Sequence, residues 1–549
     1  MARSSSEAVS TDPVHLWDRC GWLLCSGRRV SCLRLLLAGV LLGVAGCGES
    51  ASTSNAPSPN AATTAIAPPR SSPQQTSDGP ADLPPQPGSI SDGPAVSEPS
   101  SRPPSPDALT APVSPSSQDV VLAEQDRKFA EIQAIAAGMS NEALAEHRIR
   151  RYQSERMTLY SDIEESIAGR LPDLVDGLYK ELVAYFGPPV DPAPETFRTT
   201  GYLMRSSQRF ENAGLLTDSV PEFLHGRQWE TAFWMNDQQQ GYYRRHLFLH
   251  EATHCYMAAL PIRNAPRWYH EGIAELFGTH RFRQDGTVMF RQLPDDEVEF
   301  RGHGRINTIR QDLAANGIPT LAAVRQINTN DLQRNTGYAY AWAFCLLLDQ
   351  NPRYAPKFHE LAKDLGKGEF REAFDRIFAE DLAELSLEWR LFAESLQAGF
   401  DVGRAAVVFE PRPKLLPSGE TQTTEIRADR GWQSTGLRVT GDGQYRIRAT
   451  GRFQLAETTR PWVSGPRGIS IEYFGGLPLG RLIGVVVPVE SPEIAQRTAP
   501  LEIHSFGAET DWTAPSSGVL FVRLNDDWSQ LSDNSGVVQL SIEAESSQR

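Results

Sequence analysis

The chain has 549 residues, 40% apolar and 22% charged, with a formal net charge of −15. That length exceeds what one hydrophobic core usually serves, so two or three domains are expected. The acidic balance excludes a general nucleic-acid binder, which needs clustered positive charge against phosphate. Six scattered cysteines exclude a disulfide scaffold. Of the 39 prolines, 16 fall between Ala51 and Val120, a stretch with no aromatic residue.

Residues 35–46 read LLLAGVLLGVAG and follow Arg28, Arg29 and Arg34. The run is too short to span a bilayer core of about 30 Å but suits the apolar part of a signal peptide. It ends Val44-Ala45-Gly46-Cys47, which resembles the lipobox of bacterial lipoproteins. That resemblance implies removal of residues 1–46 and acylation of Cys47, so that the mature protein is anchored to a membrane and faces the periplasm or exterior. Cys20, Cys25 and Cys32 leave with the signal, and Cys255 and Cys345 remain within apolar helical patterns. Residues 47–118 are Pro, Ser, Ala and Thr with almost nothing to bury, so they read as a disordered spacer averaging ~50 Å end to end.

The folded body then comprises two domains, 119–404 and 405–549. Residues 119–150 have the pattern of an amphipathic helix. Met157–Asp162 reads as a strand, with Asp162 placed to cap a helix running to Phe186-Gly187. Further strands are expected at 196–204 and 228–236, the latter as an edge strand able to pair with an extended peptide. Mixed helix and strand order implies an α+β domain.

His250-Glu251-Ala252-Thr253-His254 follows directly. Its H-E-x-x-H spacing sets two imidazoles at i and i+4 on one helical face, where they can share a metal. Glu251 is rotated by about 100° from His250, so it can face a metal-activated water without being a ligand. Zinc lowers the pKa of such a water towards about 7, and a neighbouring carboxylate can take the proton. Pro261 and Pro266 end this helix, and a second begins at Arg267. A catalytic zinc usually has three protein ligands, and the third must come from elsewhere; His246, His270 and His280 are candidates by residue type.

Trp268, Glu271, Gly272 and Ala274 match a W-x-x-E-G-x-A signature, and with H-E-x-x-H they resemble the peptidase MA-like gluzincin metallopeptidases. The resemblance covers roughly residues 150–400 and implies an α+β zincin-like fold, one catalytic Zn2+, and Glu271 as its third ligand. It makes Glu251 the general base and lets Glu275, one turn further on, orient a zinc-bound histidine. A tyrosine opening a comparable helix supplies oxyanion stabilisation in this group, which favours Tyr338, with Tyr340 second, in Gly337–Leu348. No glycine-rich exopeptidase motif precedes the zinc helix, so an aminopeptidase is not supported.

After Pro411-Arg412-Pro413 short alternating runs separated by glycine-rich turns predict an all-β sandwich. Gly465–Gly468, Asn525-Asp526 and Asp533–Gly536 resemble the calcium-dependent galactophilic bacterial lectins and their jelly-roll relatives. Carried over, Asp526, Asp533, Asn534 and the Gln530 carbonyl would hold Ca2+ bridging sugar hydroxyls. The tyrosine from which that family supplies another carbonyl is missing. The leading expectation is a lipid-anchored zinc metallopeptidase acting on a peptide or protein, with a glycan as a further partner and no nucleic acid. The alternative is a cell-surface carbohydrate-binding lipoprotein whose zincin domain is inactive or structural.

Overall fold

A computed structural model describes residues 117–545 except 263, 411, 458 and 489–495. The signal segment, Cys47 and most of the spacer lie outside the described residues. Among the described residues no helix is long and apolar enough to cross a membrane. From Gln118 onward the chain forms one compact unit, helical with a five-stranded mixed sheet and a two-stranded hairpin (His280–Phe282 and Val288–Phe290) in its first part and β-rich in its last.

Helices α1 (Ser117–Gly138) and α2 (Asn141–Glu146) replace the single helix expected over 119–150. The break falls after Gly138, where the Ser140 side chain accepts from Ala143 N and starts the chain on a new axis. Strand β1 (Arg150–Gln153) follows, then β2 (Met157–Ser161), the short α3 (Glu165–Ala168), α4 (Leu171–Phe186), β3 (Thr199–Met204) and α5 (Ser207–Asn212). Asp162 does not cap α4. Its carboxylate accepts from Arg205 N at 2.6 Å and Ser206 N at 3.1 Å, just before α5. The strand expected over 228–236 is a hairpin, β4 (Gly226–Trp229) and β5 (Ala232–Asn236), turned at Glu230, which sits at φ 50°.

The sheet order is β1-β2-β3-β5-β4. β2, β3 and β5 run parallel, while β1 and β4 are antiparallel borders. Against this sheet lies α6 (Gly241–Ala258), buried on all sides along almost its whole length, as expected for a helix covered by sheet on one flank and helix on the other. The chain continues through α7 (Arg267–Gly278), α8 (Arg305–Asn316), α9 (Leu321–Arg325) and α10 (Asn335–Gln350). Helices Ala355–Lys363, Phe370–Phe378 and Leu382–Ser395 complete this part. Gly272 lets α7 close on α10, since a Cβ there would stand 2.5 Å from Ala341 O and 2.6 Å from Cys345 Sγ. Cys345 and Cys255 are buried free thiols.

Among the described residues the β-rich region holds two six-stranded sheets. Ile426, Ile447, Val538, Leu540 and Ile542 of one face Leu437, Leu482, Leu520, Val522 and Leu524 of the other. The second sheet is buried on its outer side as well. Along Leu477–Val487 and Gly518–Leu524 the alternate residues Ile483, Val485, Val487, Val519 and Phe521 join the core of the helical half. Trp528 packs with Phe400 at 5.2 Å and with Trp432 at 6.4 Å between ring centroids. One sheet therefore serves two cores, which fixes the halves as a single body.

Candidate metal centre

Three ligand-type atoms meet between α6 and α7. His254 Nε2 lies 3.1 Å from His250 Nε2 and 3.2 Å from Glu271 Oε2, and His250 Nε2 lies 3.6 Å from the same carboxylate oxygen. A tetrahedral zinc with bonds of ~2.0–2.2 Å separates its ligand atoms by roughly 3.3–3.6 Å, so these spacings suit three corners around one ion. The i, i+4 register of α6 brings the two imidazoles together, and the two-proline break before α7 returns Glu271 to them.

The electrostatics suit a neutral His250 and an ionised Glu271, while Glu271 holds His254 above its ordinary value against burial. Burial lowers His250 to about 3, which keeps its imidazole neutral as a ligand must be. Burial opposes ionisation of Glu271, but His254 and the hydrogen bond between them outweigh it and bring the carboxyl to about 2. Glu251, 5% exposed, is pushed up to about 7, chiefly by burial and against the pull of His254. A carboxyl in that range is matched to proton transfer near neutral pH.

Glu251 lies beneath the border strand β4. A Cβ on Gly226 would come 2.8 Å from Glu251 Cδ, 3.0 Å from Cγ and closer still to Oε1. Glycine here leaves room for the Glu251 carboxylate, and neither motif reveals it.

A second group, His246, His250 and Glu275, also has metal-type donors close together. Arg305 already occupies its carboxylate, with Nη2 2.6 Å from Oε1 and Nε 3.0 Å from Oε2. A divalent ion against that guanidinium would meet a like charge, so the group reads as support. Glu275 Oε1 stands 3.5 Å from His250 Nδ1, and Oε2 stands 3.1 Å from His246 Nε2. Burial acts against Glu275 ionising, but Arg305 and His246 hold it well below the usual carboxylate range. His303 closes the group, its ring 4.4 Å from that of His246 and its Nε2 3.8 Å from Glu275 Oε2 with neither nitrogen in a hydrogen bond, and burial lowers its pKa. Arg305 and His303 were not legible from the motifs; only folding brings α8 and the turn before it onto Glu275.

His270 stacks on His254 at 4.8 Å, and His280 accepts from Arg245 Nε at 3.1 Å, so neither imidazole joins the triangle. The two tyrosines differ. Tyr340 donates to Asp312 Oδ2 at 2.6 Å. Tyr338 is half-buried beneath the Arg305 guanidinium, 5.3 Å from its ring centre, and burial followed by Glu271 and Glu275 raises its pKa. Tyr243, on α6 two turns before His250, is a further half-buried phenol near the same charges, raised by burial while Arg305 opposes.

In the β-rich region Asp526 is fully buried. Its Oδ1 accepts from Asp527 N at 2.7 Å and its Oδ2 from Asn534 Nδ2 at 3.0 Å. Asp533 Oδ1 and Asn534 Oδ1 are buried without hydrogen-bond partners, and Gln530 N donates to Asp527 O at 3.0 Å in the same turn.

No family model and no curated protein matches the chain. Among solved structures, one described as the EclA N-terminal domain, a PllA-like lectin, is 18% identical, covering 23% of this chain and 96% of that chain with a TM-score of 0.18. The structure of IMPa from Pseudomonas aeruginosa in complex with an O-glycopeptide is 11% identical, covering 55% of this chain and 28% of that chain with a TM-score of 0.14. The chain thus spans under a third of that second protein, and likenesses at these scores assign no activity.

Proposed function

We propose that the chain is a zinc metallopeptidase of the gluzincin type, exported and held to a membrane through lipid on Cys47. The observation that carries this reading is the meeting of His250, His254 and Glu271 at 3.1–3.6 Å with Glu251 beside them. Those three residues would hold one zinc, which supplies a Lewis acid and a water of lowered pKa. Glu251 takes the proton of the attacking water and returns it to the leaving amine. Tyr338 donates its hydroxyl to the carbonyl oxygen as negative charge develops there. β4 offers its outer edge to an extended substrate, whose scissile carbonyl would then lie over Glu251.

Metal analysis of the purified full chain should give about one zinc, and a denatured protein substrate should be cleaved. Glu251→Gln should abolish cleavage and keep the zinc; unchanged hydrolysis with zinc retained would refute the assigned base.

A second reading concerns the β-rich region alone, as a jelly-roll module that binds a glycan through calcium. The unpartnered Asn534 Oδ1 beside Asp526 and the unpartnered Asp533 Oδ1 next to it in sequence favour it, because buried acceptor oxygens without donors suit a hard cation. Turning the Asn534 amide over would present its oxygen towards Asp526. Calorimetric titration with calcium and a glycan array with and without chelator test it; absence of calcium uptake would end it.

A further inference from the structure

Residues 496–501 of the β-rich region lie on the helical half, with Arg497 against the two helices that carry Arg305 and Tyr338. Arg497 and Thr498 pair antiparallel with Pro319 and Ile318, and Thr320 N donates to Gln496 O at 3.0 Å. Further along, Leu501 N donates to Glu394 Oε1 at 2.7 Å. Gly317, at φ 74°, leaves no room for a Cβ, because Thr498 O lies against it. Arg497 Nη1 donates to Asp312 Oδ2 and to Gly317 O, each at 2.8 Å. The same Asp312 oxygen accepts from Tyr340 at 2.6 Å. A single carboxylate oxygen thus ties this segment to both α8 and α10.

We propose that Arg497 is a positioning residue for the metal centre, holding α8 and α10 in the register at which Arg305 meets Glu275 and Tyr338 meets the site. Helix α8 is gripped at two points two turns apart on one face. Arg305 binds Glu275, and Asp312 binds Tyr340 and Arg497. Tyr338 lies within a turn of Tyr340, beneath Arg305. Without Arg497 the Asp312 carboxylate loses its charged donor, and the α8–α10 contact loses its outer pin. The consequence for catalysis rests on the peptidase reading above, whereas the tie itself rests on packing alone. Because Tyr338 would act only as charge grows on the carbonyl oxygen, its displacement lowers kcat and spares KM.

The test uses the zinc-loaded full chain. Arg497→Ala should lower kcat roughly tenfold, within what a misplacement of under 1 Å can do, with KM and zinc content unchanged. It should also speed amide hydrogen exchange in 305–312 and 335–341. Arg497→Lys should restore much of both, Tyr340→Phe should reproduce the alanine variant, and Arg446→Ala, at an exposed pair with Asp511, should change neither. Unchanged exchange in those segments, or a kcat loss that follows zinc loss, overturns the proposal. Faster exchange in a protein whose wild type hydrolyses no peptide keeps the tie and removes the peptidase reading.

Discussion

An alanine at position 226 would place its methyl group 2.8 Å from Glu251 Cδ and 3.0 Å from Cγ. Carbon atoms in good contact lie ~3.5–4.0 Å apart, so something must move by up to about 1 Å. β4 is a border strand held by β5 on one side, and its own backbone ladder resists displacement. The Glu251 side chain is the softer partner and should swing away from the ligand triangle. A misplacement of about 1 Å costs roughly 10²-fold, and loss of a general base costs roughly 10²–10⁴-fold, so kcat/KM of Gly226→Ala should fall about 10²-fold. Zinc content should stay at the wild-type value, because none of the three ligands is touched. The assay is hydrolysis of a denatured protein, with metal analysis and a thermal melt on the same sample and Glu251→Gln as the floor. Activity within threefold of wild type, alongside an inactive Glu251→Gln, would refute the placement of the base beneath Gly226.

Tyr338→Phe should lower kcat by about 10²-fold with little change in KM, measured by steady-state hydrolysis, since the lost donor acts on developing charge; a rise in KM alone would count against that role. Gly272→Ala should destabilise the fold by about 1–3 kcal/mol in urea, because its Cβ would meet Ala341 O at 2.5 Å and Cys345 Sγ at 2.6 Å across the α7–α10 contact. Glu388 is pushed from 4.5 up to about 7 by burial, although Val407 N and Asn351 Nδ2 donate to it at 2.7 Å. A carboxyl that binds its proton more tightly in the fold stabilises the fold below pH about 4.5 and loses that contribution as pH climbs through about 7. Glu388→Gln should therefore flatten the decline of stability over this window and raise stability above pH 7 by at most about 3 kcal/mol, read from urea midpoints at pH 5 and 8.

What is local can be read from residue order alone. Helical periodicity places His250, Glu251 and His254 on one turn of α6, and the Pro261 and Pro266 breaks followed by Arg267 place Glu271 on the next helix. Glycine-rich turns and alternating runs likewise announced the β-rich end. Sequence pattern and structure differ where the deciding contact is distant or a single turn residue intervenes. Ser140 divides the first helix, Glu230 folds one expected strand into a hairpin, and Asp162 serves amides near α5 instead of its own helix. The surroundings of the site depend on contacts between elements remote in sequence. Gly226 lies far from Glu251 in sequence but directly above it, and Arg305 reaches Glu275 across 30 positions. Arg497 comes from the β-rich half to bind Asp312, 185 positions away. A motif encodes the spacing of atoms on one helix, because covalent geometry fixes it. The groups that hold that helix, cover its Glu251 and set its charge come from elements whose approach depends on how the whole core packs.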